Sequence, residues 1–121
     1  MTTEELHERL IDYAASAGKL AESLPDTRLG RHVAGQLIRC GTSPAPNYAE
    51  ACAAESRDDF AHKLRIALKE LREGETWLRI IVKASLMPQS GIAPILDECR
   101  QLSRILGASL VTTRMNQQRG S

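Results

Sequence analysis

The sequence predicts an all-α fold, a single antiparallel up-down-up-down four-helix bundle, and three observations carry that expectation. Apolar residues recur at steps of three and four along four segments, the spacing that lines one side of a helix. Aromatic residues make up 3% of the 121, so the core must be aliphatic; the supply of Ala, Leu, Arg and Glu favours helices packed on helices. The connections are short, which makes successive segments antiparallel neighbours. The length fits one domain that buries a core without staples, and no internal repeat or low-complexity tract divides it. We expect the bundle over residues 1–115, with residues 116–121 as a polar, flexible C-terminal tail.

The first helix starts near Thr3, because Thr2-Thr-Glu-Glu5 has the form of a capping box and its acidic residues suit the positive end of a helix dipole. Leu6, Leu10, Tyr13, Ala17, Leu20 and Leu24 form its seam, and Pro25 ends it. The second helix runs from about Thr27, capped by Asp26 or Thr27, with Leu29, Val33, Leu37 and Cys40 inward. Gly30, Gly35 and Gly41 weaken it by propensity and let a neighbour approach closely. Pro44 and Pro46 predict a kink or break near Ser43–Pro46, with helix resuming at Asn47 and lasting to about Ala53.

The third helix opens at the cap Ser56-Arg-Asp-Asp59 and keeps Phe60, Leu64, Ala67, Leu71, Gly74, Leu78, Ile81 and Ser85 on one side for about seven turns. A turn at Met87–Gly91 leads to the fourth helix, whose cap is Ser90 or Ala93 and whose first turn holds Pro94. Ile95, Cys99, Leu102, Leu106, Ser109 and Thr113 complete the fourth seam.

Gln36-Leu37, Arg39, Ser43, Asn47, Ala49-Glu50, Phe60, Leu64, Ile66-Ala67 and Glu70-Leu71 stand in an order and spacing that resembles the small bacterial four-helix-bundle proteins known as 23S ribosomal RNA intervening-sequence proteins. The accessory variability protein of diversity-generating retroelements is similar to the same fold. Cys40, Tyr48 and Ala51 depart from that pattern, where the family usually has a small hydroxyl residue, an aliphatic residue and a glycine. The resemblance implies a ring-shaped homopentamer and an association with RNA: some members are encoded inside ribosomal RNA intervening sequences, and the retroelement relatives act with a reverse transcriptase and its RNA.

Two sets of polar residues bear on function. Arg39, Ser43, Asn47 and Glu50 form a polar stripe at helical spacing, either a solvated face or a network between helices or subunits in which Arg and Glu neutralise one another and Ser and Asn satisfy backbone freed by the prolines. The resemblance turns that stripe toward a structural role. Basic residues decorate the second and third helices, and Arg28, Arg31, Lys63, Arg65, Lys69 and Arg72 are the candidates for contact with RNA phosphates. Against this, Asp58, Asp59, Glu70, Glu73 and Glu75 stand at pairing distances on the same helix. Net charge is +1, although residues 1–26 carry −4 and residues 27–121 carry +5.

Other chemistries find little footing. Glu4-x-x-His7 fits half of a di-iron motif and Asp59-x-x-His62 resembles it, but the further inward glutamates are missing. Cys40, Cys52 and Cys99 are odd in number and form no CxxC spacing, which argues against disulfides and zinc and for reduced thiols. No Gly-flanked serine or Gly-rich phosphate loop is present, and no cofactor, membrane contact or small-molecule substrate is expected. With no basic-then-apolar leader and no apolar run long enough to span a bilayer, a cytoplasmic location is expected. The expected function is that of a non-catalytic, oligomeric, RNA-associated bundle; the alternative is a protein-interaction scaffold without nucleic-acid contact.

Overall fold

A computed structural model describes residues 1–119, and among them all regular structure is helical: α1 Thr3–Glu22, α2 Arg28–Thr42, α3 Pro44–Cys52, α4 Arg57–Lys83 and α5 Gln89–Arg119. Helices α2 and α3 act as one bundle element interrupted at Ser43, whose own backbone stays helical at φ −78° and ψ −37°. Pro44 and Pro46 bring no N–H to the Cys40 and Thr42 carbonyls, and the two helices meet at a bend of 17°. The predicted break is therefore present, but helix resumes at Pro44, three residues before the expected Asn47, because the fixed φ of proline suits a first turn. The four elements pack in a square. Helix α4 lies against α2, α3 and α5, and α1 lies against α2 and α3 and meets α5 to close the ring.

The caps follow the sequence closely. Thr2, Thr27 and Ser56 each accept a hydrogen bond through the side chain from the backbone N–H three residues on, at 3.1, 3.0 and 3.1 Å. Inside, Leu10, Val33, Leu37, Leu64, Leu71, Leu78, Ile81, Leu102 and Leu106 are fully buried, and each contributes favourable burial energy of about 1.5–3 kcal/mol. Gly41 is where α1 and α2 touch: a Cβ there would sit 2.6 Å from Ala17 Cβ.

Several seam positions shift. Leu29, expected inward, is 45% exposed, and Gly30 takes the buried place because the Pro25–Thr27 connection folds over it. Ser85, expected on the α4 seam, is exposed just past the helix end, and Ala61 is buried beside a half-buried Phe60. On α5 the seam of Ile95, Cys99, Leu102 and Leu106 continues inward to Leu110, with Ser109 and Thr113 half-buried at its flanks. The last helix starts at Gln89, earlier than either predicted cap, so Pro94 falls in its second turn and removes one helical hydrogen bond there. It also runs on through Arg119, past the boundary expected at residue 115; residues 120–121 of the expected tail lie outside the described residues.

Candidate nucleic-acid interface

The site emerges once the acids of α4 find their partners. Arg39 on α2 donates from Nη1 to Glu70 at 2.9 Å and from Nη2 to Glu73 at 2.6 Å, crossing to α4 instead of to Glu50. Glu70 is only 9% exposed, so this ion pair satisfies a carboxylate that would be costly to leave alone. The two carboxylates hold the Arg39 guanidinium above its ordinary pKa, first through the hydrogen bond that Arg39 donates to Glu73. Glu75 is taken by Arg100 of α5 at 2.9 Å. Thus three acids of α4 are engaged by cations from its neighbours, and not by the lysines and arginines one turn away on α4.

Those cations are thereby left over. Arg65, Lys69 and Arg72 lie at steps of four and three on one exposed side of α4, and none has an ion-pair partner among the described residues. With Arg114 of α5 they line an open groove of about 620 Å³ between the two helices, floored by Leu68 and Leu110 and bordered by Thr76 and Glu73. The groove thus carries four cations against one acid, and that acid is held by Arg39. Such a surface attracts phosphate oxygens and releases counterions when it binds them.

The remaining predicted residues lie elsewhere. Lys63 faces α3 and pairs with Glu50 at 2.6 Å. Arg31 pairs with Asp26 at 2.7 Å, and Arg28 is exposed at the start of α2, where His32 packs edge-on against Trp77, several turns along α4 from Arg65. The polar stripe divides in the same way. Asn47 Nδ2 donates to the Ser43 carbonyl and to Ser43 Oγ, both at 3.0 Å, but that carbonyl already accepts from Asn47 N–H at 3.2 Å. The bond therefore ties the start of α3 to Ser43 without reaching the Cys40 and Thr42 carbonyls that the prolines leave without a helical donor. Arg39 and Glu50, by contrast, each clamp α4 rather than one another.

A seam through Ser109 and Thr113 does not bring Arg114 to the groove. Drawn through Leu110, it places Arg114 one turn further on at the groove edge. In the core, the Tyr13 hydroxyl donates to Cys99 Sγ at 3.4 Å, and that thiol donates to the Leu71 carbonyl at 3.1 Å. Burial pushes the Cys40 thiol up to about 11 and raises Cys99 and Tyr13 as well, so all three are protonated at neutral pH. No cluster of three or more metal-ligating side chains occurs among the described residues, and His7 packs near Tyr48 with ring centroids 6.4 Å apart. No described helix is long and apolar enough to cross a membrane.

A square four-helix bundle with an unpaired basic groove on its α4–α5 face is the class of protein these observations define. Residues 5–108 match the model of the family described as 23S rRNA-intervening sequence protein, and the chain belongs to that family. It is similar to a crystal structure of a protein of unknown function from the S23 ribosomal protein family of Bacteroides thetaiotaomicron. The two are 27% identical over 91% of this chain and 98% of that one, with a TM-score of 0.84. Curated proteins give no match.

Proposed function

We propose that this chain is a non-catalytic RNA-associated protein that holds structured RNA by its phosphates in the α4–α5 groove. The observation that carries the reading is the unpaired state of Arg65, Lys69, Arg72 and Arg114 at one open groove. Membership of a family named for a ribosomal RNA intervening sequence agrees with it. The protonated core thiols agree with the non-catalytic part, since a thiol is a weak nucleophile. Four phosphate contacts on a double-helical stretch give a slope of log affinity against log salt of about −4. The test is titration of a labelled structured RNA with the purified protein at several salt concentrations, beside the variant Arg65→Glu/Lys69→Glu/Arg72→Glu. Loss of binding in a variant of unchanged mass and helicity supports the groove. Unchanged binding overturns it.

A second reading is an interaction scaffold whose partner is a protein. It is favoured by Ile11 on α1 and Ile38 on α2, which are 39% and 43% exposed on the helix pair away from the groove. The same pair is where contacts of a homo-oligomer, a homopentamer by the family resemblance, would fall. Repetition would then multiply one shallow groove into several. Sedimentation of the wild type beside Ile11→Asp/Ile38→Asp tests this: an unchanged oligomer would remove these residues from the contact.

A further inference from the structure

The cations of α4 do not stop at the groove. Arg79 and Lys83 continue the row of Arg65, Lys69 and Arg72 on the same side of the helix, with Thr76 in the interval. They line a second, smaller groove of about 300 Å³ between the end of α4 and the start of α5, together with Arg100, Asp97 and Leu96. Asp97 accepts a hydrogen bond from Gln101 at 2.7 Å, and Arg100 is held by Glu75. Arg79 and Lys83 have no ion-pair partner among the described residues.

Both grooves open on one face. On α5 the first takes Arg114 and Leu110 and the second Arg100, Leu96, Ala93 and Gln89, and Gly107 and Ser103 fill the row between them at helical spacing. From Arg65 to Lys83 this row spans about 27 Å at 1.5 Å per residue.

We infer that the two grooves form one continuous phosphate track along α4, with Arg79 and Lys83 as its second half, and that its ligand class is double-helical RNA. The ligand class follows from what the face lacks and from its stiffness. Single-stranded nucleic acids are held by aromatic side chains on which bases stack, and the described residues of both grooves include none. Trp77 points instead to His32 on the α2 side, and Phe60 packs against the core. A straight row of cations with a hydroxyl at Thr76 offers contacts to phosphates and 2′-hydroxyls alone, which is how A-form duplexes are read by shape.

This inference rests on the groove reading above, and its test separates the two. The full-length protein is titrated with a short blunt RNA duplex and with one of its separated strands. The wild type is set beside Arg79→Gln/Lys83→Gln and Arg65→Gln/Lys69→Gln, all checked for helicity and melting temperature. Each double variant should weaken duplex binding by about tenfold or more and reduce the salt slope by about 2. The single strand should bind the wild type at least about tenfold more weakly than the duplex. Duplex binding unaffected by Arg79→Gln/Lys83→Gln but lost in Arg65→Gln/Lys69→Gln overturns the track and leaves the first groove standing. A single strand that binds as tightly as the duplex overturns the ligand class. Binding indifferent to both pairs, or absent in the wild type, overturns the groove reading and the track with it.

Discussion

Arg39 does two separate jobs because its two carboxylate partners lie in different surroundings. Glu70 is buried, so the pair with Arg39 holds α2 on α4; Glu73 borders the basic groove, so the same guanidinium also screens a charge that would repel phosphate. Arg39→Gln should therefore lower both the melting temperature and the affinity for structured RNA. Adding Glu73→Gln should restore affinity while the melting temperature stays low. If the double variant still binds weakly by fluorescence anisotropy, Glu73 is not the link. The buried thiols give a residue-level prediction of a different kind. Burial holds the Cys40 folded pKa near 11, above its unfolded value near 9, and raises Cys99 in the same direction. A group raised in this way leaves stability intact below the unfolded value. Between the two values Cys40 withdraws about 1.4 kcal/mol per pH unit, because only the unfolded chain releases the proton, and Cys99 acts in the same direction. Urea midpoints should thus fall from pH 9 toward 11 more steeply in the wild type than in Cys40→Ala/Cys99→Ala. Parallel curves would contradict it.

At the scale of elements, the helices were legible wherever one local rule decided them, and misplaced wherever the connection decided. Thr2, Ser56 and the prolines after Ser43 act through neighbours three or four residues away, so the sequence alone locates these starts and the break. Leu29 and Gly30 exchange roles for a reason no helical wheel contains: the Pro25 carbonyl folds so near that a Cβ on Gly30 would lie 2.0 Å from it. Ser85 is a similar case. It sits just past α4 at φ 54°, with Ser85 N–H donating to Val82 and Leu86 N–H to Ile81, the helix-ending turn that glycine normally occupies. A non-glycine residue there costs about 1–2 kcal/mol. Ser85→Gly should stabilise the chain by about 1 kcal/mol and raise the melting temperature by about 4 °C. A lower melting temperature in calorimetry would mean that the Ser85 side chain contributes more than its strained backbone costs.

At the scale of the molecule, the charge asymmetry was legible but the groove was not. Counting showed −4 in residues 1–26 and +5 in the rest. Which cations stay unpaired depends on Arg39 and Arg100 reaching across to α4 and on Lys63 turning to α3, and only the packed bundle decides that. Packing also sets the acidic helix apart from the basic one. Helix α1 packs along α2, α3 and α5, and reaches α4 through the Tyr13 side chain beside Gly74, so the two lie on a diagonal of the square. With neighbouring axes about 8–10 Å apart, their outward-facing charges are about 20 Å or more from each other. That exceeds the Debye length of about 8 Å at physiological ionic strength and falls within the roughly 30 Å found at 0.01 M. Glu8 and Asp12 are exposed on α1 and clear of its first turn, so their neutralisation leaves the cap alone. Glu8→Gln/Asp12→Asn should leave RNA affinity unchanged at physiological salt and tighten it several-fold at low salt. Tightening of equal size at both salt concentrations would place the acidic helix near the bound RNA, and the phosphate-binding face would then have to be sought beside α1.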